Sequence, residues 1–342
     1  MGIRQDILKI IQAKKFVRSS DLAESFGVSR QYIGKALKIL VNSGELVKLG
    51  STKSAQYTLP EFLSEIHTFK NTKRFLVKNL AEHEVMESFL AESPAFKIAT
   101  ENIQSILRYT FSEMLNNAIE HSRSKFVDVE ISEDPKTIRF IINDFGIGVF
   151  RNIMKKHRLK SPFEAMQDLL KGKTTTAPKA HSGEGIFFTS KVADQFILES
   201  FGKRMRVDNQ VDDVFFENQQ PSKRGTRVIF SISKRSQRHL NSVFTKFQSR
   251  PGLYAFDKTE IRIRLFTMGT IYVSRSQARR VLSGLEKFST IVLDFEHVPT
   301  IGQAFADEIF RVFKKKHPKI SIEIDNINQA IEFMIERAKK SK

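Results

Sequence analysis

A helical segment that carries a carboxylate and a carboxamide four residues apart most strongly constrains this chain. The segment reads Glu113-Met-Leu-Asn-Asn-Ala-Ile-Glu-His-Ser122. Side chains at positions i and i+4 lie on one face of a helix, so Glu113, Asn117 and His121 form a polar stripe. A glutamate can hold a water molecule and an amide oxygen can ligate Mg²⁺, although an exposed polar helix face shows the same pattern. The stripe therefore needs support from the residues that follow it.

A second motif lies at the end of a predicted strand. Two strand-like runs, residues 126–131 and 137–142, follow the helix, and the second leads directly into Asp144-Phe-Gly-Ile-Gly148. An aspartate at a strand end can accept a hydrogen bond from an exocyclic amine, and glycines let the backbone pass close to a flat ligand. An ordinary turn has the same pattern, so this motif alone is a weak signal.

A basic segment and a second pair of glycines come next. Residues 155–179 are rich in lysine, which predicts either a loop that folds over phosphates or a solvated loop. Behind it, His181-Ser-Gly-Glu-Gly185 precedes an apolar helix, so the free amides of its glycines lie where a helix N-terminus favours anions. The candidate phosphate-binding residues are Lys173, Ser182, Gly183 and Gly185.

These motifs, with Gly225-Thr226 before a later strand, follow one another in a recognisable order. Together they resemble the ATP-binding fold shared by gyrase, heat-shock chaperones, histidine kinases and mismatch-repair ATPases, the GHKL type. The resemblance implies that ATP and Mg²⁺ are the cofactors, that Glu113 activates the attacking water or an acceptor hydroxyl, and that Asn117 ligates the metal. The residues that it implies around the nucleotide are Asn117, Asp144, Gly146, Gly148, Gly183, Gly185 and Thr226.

The first sixty residues predict a helical unit followed by a hairpin. Gly27 breaks a short helix, and Val28-Ser29 begins another that buries Ile33, Leu37 and Leu40. The pattern resembles a winged helix-turn-helix, whose recognition helix enters the major groove of DNA and whose wing here is residues 45–59. A protein-interaction domain with a basic face is the alternative. The candidate DNA-binding residues are Ser29, Arg30, Gln31, Tyr32, Lys35 and, in the wing, Lys53.

Residues 258–342 alternate predicted strands and helices, which indicates a mostly parallel sheet. The predicted strands are residues 270–273, 290–295 and 320–324. The runs Val292-Leu-Asp-Phe295 and Val298 to Phe305 are similar to the STAS-like branch of the domain family shared by sulfate transporters and anti-anti-sigma factors. In anti-anti-sigma factors a partner kinase phosphorylates a serine. The corresponding positions here are Gln303 and Ala304, which cannot accept phosphate.

Composition limits the classes of protein that remain. The net charge of +18 attracts phosphate, whether on nucleic acid, nucleotide or an anionic membrane. The sequence contains no cysteine, which excludes disulfides and thiolate metal sites and fits a reducing cytosol. It shows no secretory signal and no apolar run of transmembrane length. We therefore expect a cytoplasmic protein that does not enter a membrane.

The sequence thus predicts a multidomain α/β protein. Its expected parts are a winged helix at residues 1–60, a helical linker at 61–99 that includes a helix over Lys70 to Lys78, a GHKL-type α/β sandwich at 100–250 and a STAS-like domain at 258–342.

The expected function is that of an ATP-binding, slowly hydrolysing, DNA-binding regulator of transcription. In it, nucleotide state controls the winged helix and the STAS-like domain. One alternative is a serine/threonine protein kinase of anti-sigma type. Another is a DNA-binding adaptor with a vestigial nucleotide site, since His181 and Glu184 depart from the usual glycine-rich loop. Expected partners are DNA and a protein bound through the STAS-like domain; a homodimer is compatible with the sequence.

Overall fold

The computed structural model describes residues 3–49, 55–62, 69–174, 183–249, 256–266 and 272–340. The chain divides into two compact units, one of residues 1–71 with 131–138 and one of residues 72–130 with 139–342. The described chain combines helices with three sheets, which confirms the predicted multidomain α/β class.

The described part of the first sixty residues forms a helical core with a small antiparallel sheet. Its helices are α1 (Ile3–Lys14), α2 (Ser19–Phe26) and α3 (Arg30–Asn42), and its strands are β1 (Phe16–Arg18), β2 (Val47–Leu49) and β3 (Gln56–Thr58). The strands pair in the order β1-β3-β2. Ile33, Leu37 and Leu40 are buried, as predicted for α3. The Ser29 hydroxyl accepts a hydrogen bond of 3.2 Å from the Tyr32 amide, so it caps the helix.

A seven-stranded sheet follows in the chain, with the strand order β4-β5-β6-β10-β7-β8-β9. The strands are β4 (Phe69–Leu76), β5 (Phe126–Glu133), β6 (Thr137–Asp144), β7 (Gln195–Ser200), β8 (Lys203–Asp208), β9 (Asp213–Asn218) and β10 (Thr226–Ser233). The helices in this part are α4 (Glu82–Glu92), α5 (Pro94–Ile98), α6 (Glu101–His121), α7 (Val149–His157), α8 (Pro162–Lys171), α9 (Gly185–Val192) and α10 (Leu240–Lys246). Since β6 ends at Asp144 and its neighbour β10 begins at Thr226, these two residues lie side by side.

The predicted helix over Lys70 to Lys78 is wrong, because residues 69–76 form the edge strand β4. Side chains along β4 alternate between half-buried and exposed, as in a strand with one covered face. Charged side chains on its outer positions pair across the sheet; the Arg74 guanidinium donates to the Asp128 carboxylate on β5 at 2.8 Å. Because β4 contains several basic residues, the sequence does not show the clear alternation of apolar and polar positions that normally indicates a strand.

The C-terminal part contains a three-stranded parallel sheet in the order β11-β12-β13. Its strands are β11 (Lys258–Arg262), β12 (Thr290–Asp294) and β13 (Ser321–Asp325), and its helices are α11 (Arg275–Leu282), α12 (Gln303–Ala306), α13 (Lys314–Lys316) and α14 (Gln329–Lys340), with π-helical Asp307–Phe313 between α12 and α13. The parallel sheet was predicted, but its first strand is β11. Of the strand predicted at 270–273, residues 270 and 271 lie outside the described residues, and Tyr272 makes only an isolated bridge to Ile301.

One hydrophobic core joins the C-terminal sheet to α9. Phe187 and Phe188 of α9 are buried in the same cluster as Phe256, Ile261 and Leu293. The Phe187 and Phe256 rings stack with 4.8 Å between their centroids. A movement of α9 therefore has to be accommodated by this core, because protein interiors are close-packed. In the described part of the chain, no helix is long and apolar enough to cross a membrane.

Candidate functional site

A cavity of about 310 Å³ lies between α6, the start of α9, the last residues of β6 and the first residues of β10. This volume is within the range of small-molecule sites, roughly 300–1,000 Å³. The residues predicted from sequence that line it are Glu113, Asn117, Asp144, Gly148, Gly183, Gly185 and Thr226. Four motifs that are far apart in the sequence therefore meet in one place.

Asp144 is held rigidly at one wall of the cavity. Its side chain is buried, and its Oδ1 accepts hydrogen bonds from the backbone amides of Gly146 at 2.9 Å and Thr226 at 3.1 Å. Burial raises the pKa of Asp144, and these hydrogen bonds lower it part of the way back. The Thr226 hydroxyl also hydrogen-bonds to the carboxylate and accepts from the Val149 amide at 3.0 Å. The carboxylate thus has a fixed position from which it can accept a hydrogen bond from a ligand.

The glycines of the Asp144 motif are required by the surrounding protein. A Cβ atom at Gly146 would overlap the backbone carbonyl of Ser122, and Gly146 is not among the residues that line the cavity. Gly148 has a φ of +79°, and a Cβ there would overlap the Phe201 ring. The sequence predicts these glycines from a close approach to a ligand; Gly148 lines the cavity, and packing of the turn between β6 and α7 also requires glycine at both positions.

Glu113 lies directly against the start of α9. A Cβ atom at Gly185 would overlap Oε2 of Glu113, so a larger residue there would displace the Glu113 carboxylate from its position. Tyr109 lies one turn earlier on α6, and burial together with the carboxylates of Glu113 and Glu184 raises its pKa. The phenol therefore stays protonated beside two carboxylates. This arrangement can orient a water molecule or a hydroxyl next to the helix N-terminus.

The donor set of the cavity fits Mg²⁺ held jointly by protein and phosphate. Asn117 lines the cavity one turn after Glu113, and further oxygen-bearing side chains of Glu120, Ser122 and Asn152 line it as well. Among the described residues, no group of three or more His, Asp or Glu side chains could hold a metal ion alone. Mg²⁺ usually takes one or two protein ligands and completes its shell with substrate phosphates and water. The Asn117 amide at the wall of this cavity would be one such protein ligand.

The structure does not bring every predicted residue to the cavity. The Lys173 ammonium lies 3.4 Å from the Lys287 carbonyl and over the rings of Phe256 and Phe288, outside the cavity lining. Ser182 and Lys53 lie outside the described residues. Thr174, which sequence reasoning missed, lines the cavity instead. Its place next to Lys173 in the basic segment was the signal that could have identified it.

Three family models match the chain in the predicted order. Residues 3–57 match an HTH domain, residues 102–236 match the histidine kinase-, DNA gyrase B- and HSP90-like ATPase, and residues 277–332 match a STAS-like domain of unknown function. The chain is a helix-turn-helix protein with a GHKL-type ATPase domain and a STAS-like domain. A search of curated proteins finds no match to it. The ATPase domain implies nucleotide binding, and the helix-turn-helix domain implies DNA binding.

Contacts between the ATPase and STAS-like domains are made by the last residue of α8 and the residues that follow it. The Lys171 ammonium donates to the carbonyls of Arg280 at 2.9 Å and Ser283 at 2.7 Å, at the end of α11. Burial lowers the pKa of Lys171 to about 8. The Thr259 hydroxyl of β11 donates to the Lys171 carbonyl at 2.7 Å. The Lys287 ammonium donates to the Lys173 carbonyl at 2.6 Å, so two residues on either side of Gly172 are fixed to the STAS-like domain.

The predicted DNA-binding residues other than Lys53 lie at the N-cap and in the first two turns of α3. Ser29, Arg30, Gln31, Tyr32 and Lys35 are all exposed, and the Tyr32 side chain retains 53% of its accessible surface. Lys38 lies one turn beyond Lys35 on the same face and was missed, although its i+3 spacing was visible in the sequence. The N-terminal part of α3 therefore presents donors and a cation to solvent, as a recognition helix does.

Proposed function

We propose that this protein binds ATP with Mg²⁺ in the cavity, hydrolyses it slowly, and uses its nucleotide state to control the helix-turn-helix and STAS-like domains. The observation that carries the proposal is that Asp144 and Glu113, which belong to different sequence motifs, line the same cavity. Asp144 would accept a hydrogen bond from the adenine amine. Asn117 would ligate Mg²⁺, which supplies charge neutralisation on the phosphates when bound. Gly183 and Gly185 would present amides to the phosphates.

Glu113 supports the hydrolytic part of the proposal. Its carboxylate lies at the N-terminus of α9, where phosphate is favoured, and Asn117 follows on the same helix face. From this position Glu113 can take a proton from an attacking water molecule. The decisive experiment is ATP turnover with identification of the products, with and without duplex DNA, on the wild type and Glu113→Gln.

Control of the STAS-like domain is supported by the segment Lys171–Thr174. Lys171 and Lys173 hold the STAS-like domain, while Thr174 lines the nucleotide cavity. A Cβ atom at Gly183 would lie 2.7 Å from the Thr174 backbone, so the phosphate-side glycine packs directly on this segment. A conformational change at Gly183 would therefore reach Thr174 directly. Thr174 is adjacent to Lys173, whose carbonyl accepts a hydrogen bond from Lys287 of the STAS-like domain. Such a direct physical connection is what coupling between two sites needs.

Lys171→Met is expected to weaken ATP binding by about fivefold, near the lower end of typical coupling between sites. It removes the donor to two part-buried hydrogen bonds and frees the segment that carries Thr174. Isothermal titration with ATP measures the change, with Lys155→Met on the exposed side of α7 as the matched control. Equal ATP affinity in wild type and Lys171→Met would show that this contact does not couple the domains.

The same variant has a pH signature. The pKa of Lys171 is lowered to about 8 in the folded protein from 10.5, so the unfolded chain binds more protons between these values. The contribution of Lys171 to stability therefore rises as the pH rises from about 8 to 10.5, and Lys171→Met lacks this rise. Melting temperatures of both proteins across this window measure it. Parallel curves would contradict the burial of the charged ammonium.

The DNA-binding part rests on the exposed face of α3. Arg30→Ala is expected to weaken binding to a mixed-sequence duplex by about tenfold, since one lost contact costs about 1–3 kcal/mol. Affinity should fall steeply with salt for the wild type, and less steeply for the variant, because fewer counterions are released. Fluorescence anisotropy at two salt concentrations measures both effects, with Lys14→Ala on the exposed end of α1 as the control. If Arg30→Ala binds as the wild type does, the domain belongs to the protein-interaction class.

The proposed domain limits are residues 1–60, 100–250 and 258–342. The intervening residues 61–99 contain β4 and are not a helical linker alone. Since β4 is the edge strand of the seven-stranded sheet, we propose that these residues belong structurally with the ATPase domain.

A further inference from the structure

A second cavity of about 550 Å³ shares part of its lining with the nucleotide cavity. The residues that line both cavities are Glu113, Glu184 and Gly185. The volume of the second cavity lies within the range of small-molecule sites, roughly 300–1,000 Å³. It is therefore large enough for an organic ligand, and the proposed function assigns none to it.

Aromatic rings form the apolar wall of the second cavity. The rings that line it belong to Tyr109, Phe188, Phe244 and Phe256. The Phe244 ring meets the Phe188 ring edge-on with 4.6 Å between their centroids, and the Tyr109 ring with 5.4 Å. The centroids of Phe188 and Phe256 lie 4.8 Å apart. Because the face of an aromatic ring carries partial negative charge, such a wall attracts cations as well as apolar groups.

The charged residues at the second cavity are both acidic. They are Glu113 and Glu184, and no lysine, arginine or histidine is among the described residues that line the cavity. Burial and these two carboxylates raise the pKa of Tyr109, so both carboxylates act on the same phenol. The chain as a whole has a net charge of +18, so the negative potential here is opposite to that of the protein on average. The second cavity therefore favours a cationic ligand and repels phosphate.

A lysine of the chain illustrates how an ammonium interacts with this wall. The Lys173 ammonium lies 5.6 Å from the centroid of the Phe256 ring and 3.4 Å from the Lys287 carbonyl. Burial lowers the pKa of Lys173, while the Glu184 carboxylate acts in the opposite direction. Lys173 itself is not among the residues that line the second cavity. The same ring and the same carboxylate thus already stabilise one alkylammonium group.

We propose that the second cavity binds a small organic amine, whose ammonium group pairs with Glu113 and Glu184 and whose aliphatic stem packs on the aromatic rings. Asn241, Thr245 and Gln248 also line the cavity and can form hydrogen bonds with a second amino group of the ligand. An inorganic cation such as Mg²⁺ fits less well, because it requires a shell of oxygen ligands and makes no use of apolar rings.

The bound amine would regulate the nucleotide site, and this step rests on the proposed role of Glu113 in hydrolysis. An ammonium next to a carboxylate stabilises the charged form of the carboxylate. Glu113 then accepts a proton from the attacking water less readily. We therefore expect the amine to slow ATP hydrolysis without displacing ATP.

The binding test uses the full chain without nucleotide and isothermal titration with diaminobutane, which carries an amino group at each end. Butanediol of the same length is the neutral probe. Thr245→Arg places a guanidinium at the second cavity from the exposed surface of α10, and Glu184→Gln removes one carboxylate. The matched controls are Ser242→Arg, exposed on α10 outside the cavity lining, and Glu101→Gln, exposed in the first turn of α6.

The wild type is expected to bind diaminobutane at a single site and not to bind butanediol. Thr245→Arg and Glu184→Gln should bind diaminobutane about tenfold more weakly, since each weakens a hydrogen-bonded charge pair. Ser242→Arg and Glu101→Gln should bind it as the wild type does. No binding to the wild type, equal binding of butanediol, or unchanged affinity in Thr245→Arg overturns the amine site.

ATP turnover at saturating diaminobutane tests the regulatory step. The rate of the wild type is expected to fall about tenfold, less than the loss of about a hundredfold or more that removal of the base would cause. Diaminobutane should not change the rate of Thr245→Arg, which corrects for any pairing of the amine with ATP in solution. A wild-type rate that bound diaminobutane does not change overturns the regulation. A wild type that binds diaminobutane but no ATP overturns the proposed function and leaves the amine site in place.

Discussion

Asp144→Asn is expected to weaken ATP binding by about a hundredfold, because it replaces a buried carboxyl group by an amide that carries a donor. Hydrogen bonds to charged groups contribute about 1.5–3 kcal/mol, and 1.4 kcal/mol corresponds to a factor of ten. The asparagine oxygen can keep the bonds from the Gly146 and Thr226 amides. Its NH₂ group would then face the adenine amine. Two buried hydrogen-bond donors would be in contact, and neither would have an acceptor there.

Stability should change in the opposite direction to affinity. Burial raises the pKa of Asp144, so the ionised carboxylate is disfavoured in the folded protein at any pH above that value. The penalty is relieved as the pH falls through the raised pKa, where the folded state takes up the proton. Asparagine carries no charge, so Asp144→Asn should melt at the same or a higher temperature than the wild type at neutral pH.

Titration of ATP into both proteins, with melting curves in parallel, tests this pair of effects. Asp134→Asn is the matched control, because Asp134 is exposed in a turn and accepts backbone hydrogen bonds that asparagine can also accept. Unchanged ATP affinity in Asp144→Asn would remove adenine recognition from this carboxylate and would favour the adaptor with a vestigial site.

The order of four motifs along the sequence predicted which residues line the cavity, although each motif alone was a weak signal. Glu113 and Asn117 on one helix face, and Asp144 at a strand end, gained meaning only in combination. Lys173 shows where such reasoning ends. The positive charge of Lys173 suggested that it binds phosphate. In the structure, Lys173 instead forms hydrogen bonds with Lys287 of the STAS-like domain. That contact depends on how two domains pack, which a one-dimensional pattern does not encode.

The edge strands show a similar limit. The sequence of β11, Lys258-Thr-Glu-Ile-Arg262, has charged residues at alternate positions and little apolar character, yet it pairs in parallel with the buried β12. Its charges are satisfied by tertiary partners; the Lys246 ammonium lies 2.9 Å from Glu260, for example. For the same reason β4 was not recognised as a strand from its sequence, since its charged Arg74 pairs with Asp128 on the neighbouring strand. Strands whose polar faces are neutralised by distant residues cannot be recognised from alternation alone.

Glu113→Gln is expected to lower the rate of ATP hydrolysis by about a hundredfold or more while leaving ATP affinity within about twofold of the wild type, since a positioned general base contributes 10²–10⁴-fold. Glutamine has nearly the same shape, so it can lie against Gly185 as Glu113 does. It cannot take a proton from the attacking group.

A single-turnover measurement of ADP formation at saturating ATP and Mg²⁺ isolates this step from binding and from product release. Glu101→Gln, at the exposed first turn of the same helix α6, controls for the change of charge. A rate of ADP formation in Glu113→Gln equal to that of the wild type would exclude Glu113 as the general base.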